Sequence, residues 1–169
     1  MYAANLKWSC CTFKLKITPK DSGYFQTIPA MAAIKGVKYD LNEQYIKLPA
    51  GDSSALDGLW KIYSGYNVKG TDTLKQEATE YKIFWKGYFM YMQHCMGGKT
   101  PADAKNAFGY GSFSFAKDTL SGEIKMSNNP ALVGQKFAVS LKLNGIEFTQ
   151  IMTDPKTKVQ MVEIWKRVR

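Results

Sequence analysis

The sequence contains few of the residues from which catalytic and metal sites are usually built. Its 169 residues include one His, His94, and three Cys, two of which, Cys10 and Cys11, are adjacent. An odd number of cysteines, two of which are adjacent in the sequence, does not indicate a disulfide framework. His94-Cys95 lacks the spacing of metal ligands, and no nucleophile motif accompanies His94. The sequence therefore favours a protein that is not an enzyme and carries no metal or cofactor.

Long apolar runs are also missing. No stretch approaches the roughly 20 apolar residues that cross a bilayer as a helix. The first five residues, 1–5, lack the charged and then apolar start of a secretory signal. We therefore expect neither a membrane span nor a signal peptide in this sequence.

Acidic residues are scarce relative to basic ones. The sequence has 14 Asp and Glu against 23 Lys and Arg, a formal net charge of +9. The surplus is spread along the chain, and Lys14, Lys16, Lys136, Lys142 and Lys166 alternate with apolar residues. This alternation is typical of the solvent face of half-buried strands. We therefore favour a solvated outer surface over a nucleic-acid surface that follows phosphates.

Aromatic residues are abundant, at 14% of the chain, and occur in short segments that alternate with polar residues. This pattern is typical of β-strands. Gly109 and Gly111 within one such segment indicate a bend or a close backbone approach, and Asn144-Gly145 is a strong two-residue hairpin signal. The predicted strands are Leu56–Ser64, Tyr81–Phe84, Tyr88–Met92, Phe108–Phe115, Leu120–Met126, Phe137–Leu143, Ile146–Met152 and Val159–Val168.

These eight strands predict an all-β fold, an antiparallel up-and-down barrel built from sequential hairpins. Eight strands are enough to close a sheet around one small ligand. Closure also removes the exposed sheet edges.

Two motifs at the ends of this segment resemble a known family. Leu56–Lys61 contains the Gly-x-Trp of the first strand of lipocalins and of the wider calycin group, and Glu163–Val168 resembles the closing strand of small bacterial lipocalin-like domains. The resemblance covers residues 56–169 and implies a lipocalin-like barrel. It also implies a periplasmic or secreted location, since such relatives are commonly exported from the bacterial cytoplasm.

The first and last strands of a closed barrel are neighbours, so Trp60 can close one end with Arg167 stacked on its ring. We favour this structural role for both residues. The fatty-acid-binding relatives imply another role, in which an Arg and an aromatic residue of the last strand hold a ligand carboxylate. Glu163, Trp165 and Arg167 share one strand face, and a buried Arg167 would need Glu163 or a ligand anion as partner.

Residues 1–50 precede the predicted barrel and are expected to contain three strands. Their segments Phe13–Ile17, Phe25-Gln26 and Glu43–Leu48 parallel, in order, Phe137–Leu141, Phe148–Gln150 and Glu163–Val168. Residues 1–50 are either the tail of a preceding lipocalin-like repeat or strand-forming stretches that align by chance. Three strands cannot close alone, so they would pack on the barrel, pair with another chain in a homo-oligomer or be partly disordered.

Two hypotheses of function follow. In the first, which we favour, the barrel binds a small apolar or amphipathic molecule without catalysis. In the second, the barrel is filled by its own side chains, and the protein is a structural or protein-interaction module. A cavity would separate these two. A third, single-stranded nucleic acid on exposed aromatic rings, requires those rings to face solvent beside Lys. The candidate ligand-binding residues are Trp60, Phe89, Tyr91, Phe137, Val139, Leu141, Glu163, Trp165 and Arg167.

Overall fold

The computed structural model describes residues 2–8, 11–34, 36–76, 78–96 and 104–168, which leaves Cys10 outside these ranges. Within them the chain forms β-strands and one short 3-10 turn, Pro130–Leu132. None of the described residues belongs to a helix long and apolar enough to cross a membrane. The strands are β1 (Tyr2–Trp8), β2 (Cys11–Lys20), β3 (Gly23–Ile34), β4 (Val37–Ile46), β5 (Gly58–Lys69), β6 (Asp72–Gln76), β7 (Ala78–Trp85), β8 (Tyr88–Met96), β9 (Ala104–Ala116), β10 (Thr119–Ser127), β11 (Lys136–Asn144), β12 (Glu147–Thr153) and β13 (Gln160–Arg167).

The chain divides into two compact units, residues 1–49 and residues 50–169. In the first unit, β1 to β4 form an antiparallel sheet in chain order. The rings of Tyr24 and Tyr45 stack across β3 and β4 with centroids 4.7 Å apart. The sheet has four strands, whereas the sequence predicts three. The Ala and Asn residues of β1 have a low β-strand propensity. The strand structure of β1 therefore depends on its antiparallel pairing with β2.

In the second unit, β5 and β7 to β13 form a closed antiparallel barrel. Each of these strands pairs with the next one along the chain, and β13 pairs with β5, so that Arg167 lies opposite Trp60. This confirms the predicted all-β, eight-stranded up-and-down barrel. β6, which the sequence does not predict, pairs with the second half of β5. Its mostly polar residues lack the alternation that marks a strand.

The hairpin between β11 and β12 lies one residue later than predicted. Asn144 pairs with Glu147, so the turn residues are Gly145 and Ile146. Gly145 has a φ of 60°, as a type II′ turn requires at its first central position. β12 therefore begins at Glu147, and the next residue, Phe148, faces the barrel interior and is buried.

Side chains alternate between the barrel interior and solvent along the strands. On β11, Lys136 and Lys142 are exposed while Leu141 is fully buried. Lys16 and Lys166 are exposed as well, whereas the side chain of Lys14 lies outside the described residues. The buried core of the barrel consists of Leu56, Trp60, Phe84, Phe89, Phe113, Leu120, Leu141, Phe148 and Trp165.

Two glycines of β9 shape the inner wall of the barrel. Gly109 lies opposite Tyr91 and Gly111 opposite Phe89. A Cβ atom on either glycine would overlap with that aromatic side chain and with a backbone carbonyl oxygen of β10. Glycine is therefore needed where the rings cross the neighbouring strand. This confirms the close backbone approach predicted at both positions.

Candidate functional site

An aromatic cluster fills the end of the barrel where β5 begins and β13 ends. Trp60 is fully buried, and its Nε1 donates a hydrogen bond of 2.7 Å to the carbonyl oxygen of Leu56. The ring centroids of Trp60 and Phe148 lie 4.7 Å apart, and Phe148 stacks on Trp165 at 5.7 Å. This half of the barrel is therefore filled by its own side chains.

Arg167 covers the filled end. Its guanidinium carbon lies 4.3 Å from the centroid of the Trp60 ring. Its Nη1 donates to the carbonyl oxygen of Asp57, and its Nη2 donates to that of Ala55 at 2.9 Å. The cation over the indole face and the two hydrogen bonds stabilise the junction of the first and last barrel strands. The structure shows the stacking of Arg167 on the Trp60 ring that the sequence predicts, and the structural role of both residues stays a prediction.

The other half of the barrel contains a cavity of about 470 Å³. Most of its wall is apolar and is contributed by β7, β8, β10 and β11, with Met152 and Met161 from β12 and β13. The volume lies within the range of small-molecule sites in proteins. The aromatic residues of the wall are Phe84, Phe89, Tyr91 and Phe137, and its larger aliphatic residues are Leu120, Ile124, Leu132 and Val139.

Three charged side chains, Glu80, Lys82 and Glu163, line one side of this cavity. Lys82 Nζ lies 3.6 Å from Glu80 Oε1 and 3.3 Å from Glu163 Oε2. Both carboxyl groups are buried, since Glu80 is 5% and Glu163 is 6% exposed. Two acids thus share one base inside the barrel. When both acids are ionised, the group carries one uncompensated negative charge.

Uncharged neighbours hold this charged group in place. Trp165 Nε1 donates a hydrogen bond of 3.1 Å to Glu163 Oε2, and Gln93 Nε2 donates one of 3.3 Å to Glu80 Oε2. Lys82 Nζ lies 4.0 Å from the centroid of the Trp165 ring, within cation–π distance. Trp165 therefore connects the charged side of the cavity to the filled end of the barrel.

Glu80 has an unusual ionisation equilibrium. Burial raises its pKa from 4.5, Lys82 opposes this rise, Glu163 adds to it, and the resulting pKa is about 7. The cause is that a buried carboxylate loses the hydration which stabilises its charge. At neutral pH the Glu80 carboxyl is therefore divided between its protonated and ionised forms.

Gln150 lines the same cavity from β12 and lies opposite Glu163 on β13. It is only 4% exposed. Its Oε1 has no hydrogen-bond partner within the described part of the chain. A buried acceptor without a donor is destabilising, so a ligand that brings a donor to this oxygen would gain free energy.

Five of the sequence-predicted ligand-binding residues line the cavity, namely Phe89, Tyr91, Phe137, Val139 and Glu163. The other four, Trp60, Leu141, Trp165 and Arg167, lie in or over the filled end. One expectation needs correction, because Glu163 pairs with Lys82 and Arg167 binds backbone carbonyl groups instead. The reason is the position of each residue along the barrel. Arg167 pairs with Trp60 at the barrel end, whereas Glu163 comes earlier on β13, further from that end, and lies opposite Gly65.

The sequence-based prediction misses the cavity residues Glu80, Lys82, Gln93 and Gln150. β7 inverts the usual alternation, because Glu80 and Lys82 line the interior while Ile83 and Trp85 are exposed. The pairing of β7 with β8 across the following hairpin could have identified these residues. The turn of this hairpin places Phe84 directly opposite Phe89, and paired residues share a face. An inward Phe89 therefore turns Phe84, and with it Lys82 and Glu80, inward.

His94 lies on the outer face of β8 and is exposed. Its Nδ1 lies 2.8 Å from Asn106 Oδ1 on the neighbouring strand. Among the residues that the structure describes, no group of three or more His, Cys, Asp or Glu side chains is placed to hold a metal ion.

No protein-family model matches the chain, and no curated protein matches it. Among solved structures, the crystal structure of the isotype 1 transferrin binding protein B from serogroup B Neisseria meningitidis is similar, with 13% sequence identity and a TM-score of 0.33. The match covers 99% of this chain and 35% of that one. A similarity of this size does not assign a function.

Proposed function

We propose that the protein binds a small amphipathic molecule inside the barrel and does not act on it chemically. The observation that supports this proposal is the cavity of about 470 Å³, with apolar walls and a charged side. Ligand sites combine such a volume with a few polar groups that fix orientation. In this proposal Phe89, Tyr91, Phe137 and Val139 contact the apolar part of the ligand, and Glu163 belongs to the polar side.

Burial of apolar ligand surface supplies most of the affinity. Removing such surface from water is favourable by about 25 cal/mol per Å², so covering about 250 Å² gives about 6 kcal/mol. The loss of translational and rotational freedom on association consumes part of this. The contacts at the polar side of the cavity therefore decide which ligand binds tightly.

The alternative of a barrel filled by its own side chains describes only the end around Trp60. In the other half, the described side chains leave a volume of about 470 Å³ between them, which favours the binding of a ligand. A periplasmic or secreted location, a preceding lipocalin-like repeat ending in residues 1–50 and a homo-oligomer formed through those strands stay predictions.

The test is titration of the protein with phenylnaphthylamine, a neutral apolar dye whose fluorescence rises on leaving water. Val139→Trp places a large side chain in the cavity wall and should weaken dye binding by at least about tenfold, because the free volume is lost. Val168→Trp is the matched control, since Val168 is 40% exposed and lies outside the cavity. It should bind the dye as the wild type does.

Circular dichroism shows whether both variants keep the β-sheet signal. Native mass spectrometry of the purified protein provides a second readout, with a small molecule expected to accompany the folded chain. The proposal is wrong if the wild type does not bind the dye, or if folded Val139→Trp binds it with unchanged affinity.

A further inference from the structure

The charged side of the cavity is one cation short. Glu80 and Glu163 are both within salt-bridge distance of the single ammonium group of Lys82. The remaining titratable side chain on the described cavity wall is Tyr91, whose hydroxyl lies 3.0 Å from Ser127 Oγ. The site therefore attracts a positive charge, because each buried carboxylate needs a compensating partner.

Gln150 is an independent observation at the same place. Its buried Oε1 lacks a donor, and its position opposite Glu163 places it beside one of the two carboxylates. Directly opposed residues on antiparallel strands have Cβ atoms about 5 Å apart. A donor bound here can therefore contact an amide oxygen and a carboxylate together.

Lys82 does not make the site suitable for an anion. Its ammonium group lies between two carboxylates and over the Trp165 ring, so its charge is already compensated. A ligand carboxylate would meet two like charges in a poorly hydrated interior, which is unfavourable. Arg167, the other cation considered for this purpose, is bound to backbone carbonyl groups at the filled end.

We propose that the cavity selects amphipathic amines, with the protonated amino group bound by Glu80, Glu163 and Gln150 and the hydrocarbon part packed against Phe89 and Phe137. This inference rests on the proposed function, whose ligand class it names. An ammonium group supplies both the missing charge and the missing donor, whereas an alcohol supplies only a donor and a carboxylate supplies neither.

Amine binding is coupled to proton release from Glu80. The titratable groups that face Glu80 are Lys82 on its own strand and Glu163 on β13, and Gln93 on β8 is neutral. A bound ammonium group stabilises the ionised carboxylate and lowers its pKa again. With a free pKa of about 7, amine affinity should fall by about sixfold between about pH 7.5 and about pH 5.5.

Competition titrations that displace phenylnaphthylamine test this inference with decylamine, decanol and decanoate, which share one hydrocarbon length. Decylamine should bind about tenfold more tightly than decanol at about pH 8, because hydrogen bonds to charged groups are stronger than neutral ones. Decanoate should bind more weakly than decanol. Glu80→Gln should remove most of the preference for decylamine over decanol, and with it the pH dependence of that preference.

Glu147→Gln is the matched control. Glu147 lies on β12, with its side chain 43% exposed and 4.0 Å from Lys166, and it does not line the cavity. It should keep the preference for the amine. Decanoate binding as tightly as decylamine, or an amine preference that survives in Glu80→Gln, would overturn the inference and leave the proposed function standing. Failure of the dye and all three probes to bind would overturn the proposed function itself.

Discussion

Replacing Glu80 by Gln should stabilise the protein at neutral and alkaline pH. In the folded protein burial raises the pKa of Glu80 from 4.5 to about 7. Between these two pH values the native state therefore holds a proton that the unfolded chain releases. Stability therefore decreases as the pH rises through this range. Each pKa unit corresponds to about 1.4 kcal/mol. The free energy of unfolding of the wild type should fall by about 2.5 kcal/mol relative to Glu80→Gln between about pH 5 and about pH 8.5.

The substitution removes the unfavourable ionisation of a buried carboxyl group and leaves no buried charge without a partner. Lys82 stays paired with Glu163, so the cavity retains one acid and one base. A glutamine at position 80 can keep the contact with Gln93 that the carboxylate makes. Removal of Lys82 would have the opposite effect, because it would leave two buried carboxylates without a cation.

Urea unfolding followed by tryptophan fluorescence at a series of pH values measures this difference. Carboxyl groups that titrate equally in both proteins cancel in the comparison. The control Glu147→Gln should differ from the wild type by less than about 0.5 kcal/mol throughout, as exposed ion pairs contribute little. A stability difference between Glu80→Gln and the wild type that stays constant, or that grows toward acid pH, would show that the pKa of Glu80 is not raised in the folded protein.

Three further substitutions test the framework of the barrel. Arg167→Ala should lower the free energy of unfolding by about 2 kcal/mol, through loss of the contact with Trp60 and of two hydrogen bonds, while dye affinity should be unchanged because Arg167 lies outside the cavity. Gly111→Ala should cost about 2 kcal/mol in urea unfolding, since the new methyl group overlaps with Phe89 and a neighbouring strand; wild-type stability would contradict the close approach. Asp118→Gly should raise the free energy of unfolding by about 1 kcal/mol, because residue 118 has a left-handed φ of 57°, which glycine adopts without strain. A lower melting temperature of this variant would instead show that the aspartate stabilises the turn.

The barrel was predictable from the sequence because its signals are local. Alternation from Phe137 to Leu143 and turn residues between the segments fix the strands one at a time. Closure followed from the motif around Trp60 and its counterpart near Arg167. The fourth N-terminal strand and β6 were not predictable in this way, since their Ala, Asn and charged residues acquire strand structure through pairing.

The polar side of the cavity was harder to predict, since it depends on which face of each strand is inward. Glu80 and Lys82 look like solvent-facing residues when they are read beside Tyr81 and Ile83. Only the pairing across the next hairpin turns them inward. The prediction for Arg167 was wrong for a different reason. Period-two spacing places Arg167 on the same strand face as Glu163. The spacing does not show that the strand ends at Arg167, where its guanidinium reaches the backbone carbonyl groups of the loop before β5.

The pairing of β5 with β13 has a consequence for biosynthesis. The hydrogen-bonding edge of β5 stays open on the ribosome until β13 has been synthesised and can reach it. During that interval the nascent chain exposes a strand edge and an uncovered indole, a combination prone to aggregation. We expect the barrel to fold after translation of its final strand, and slowly, as non-local strand pairing does in general.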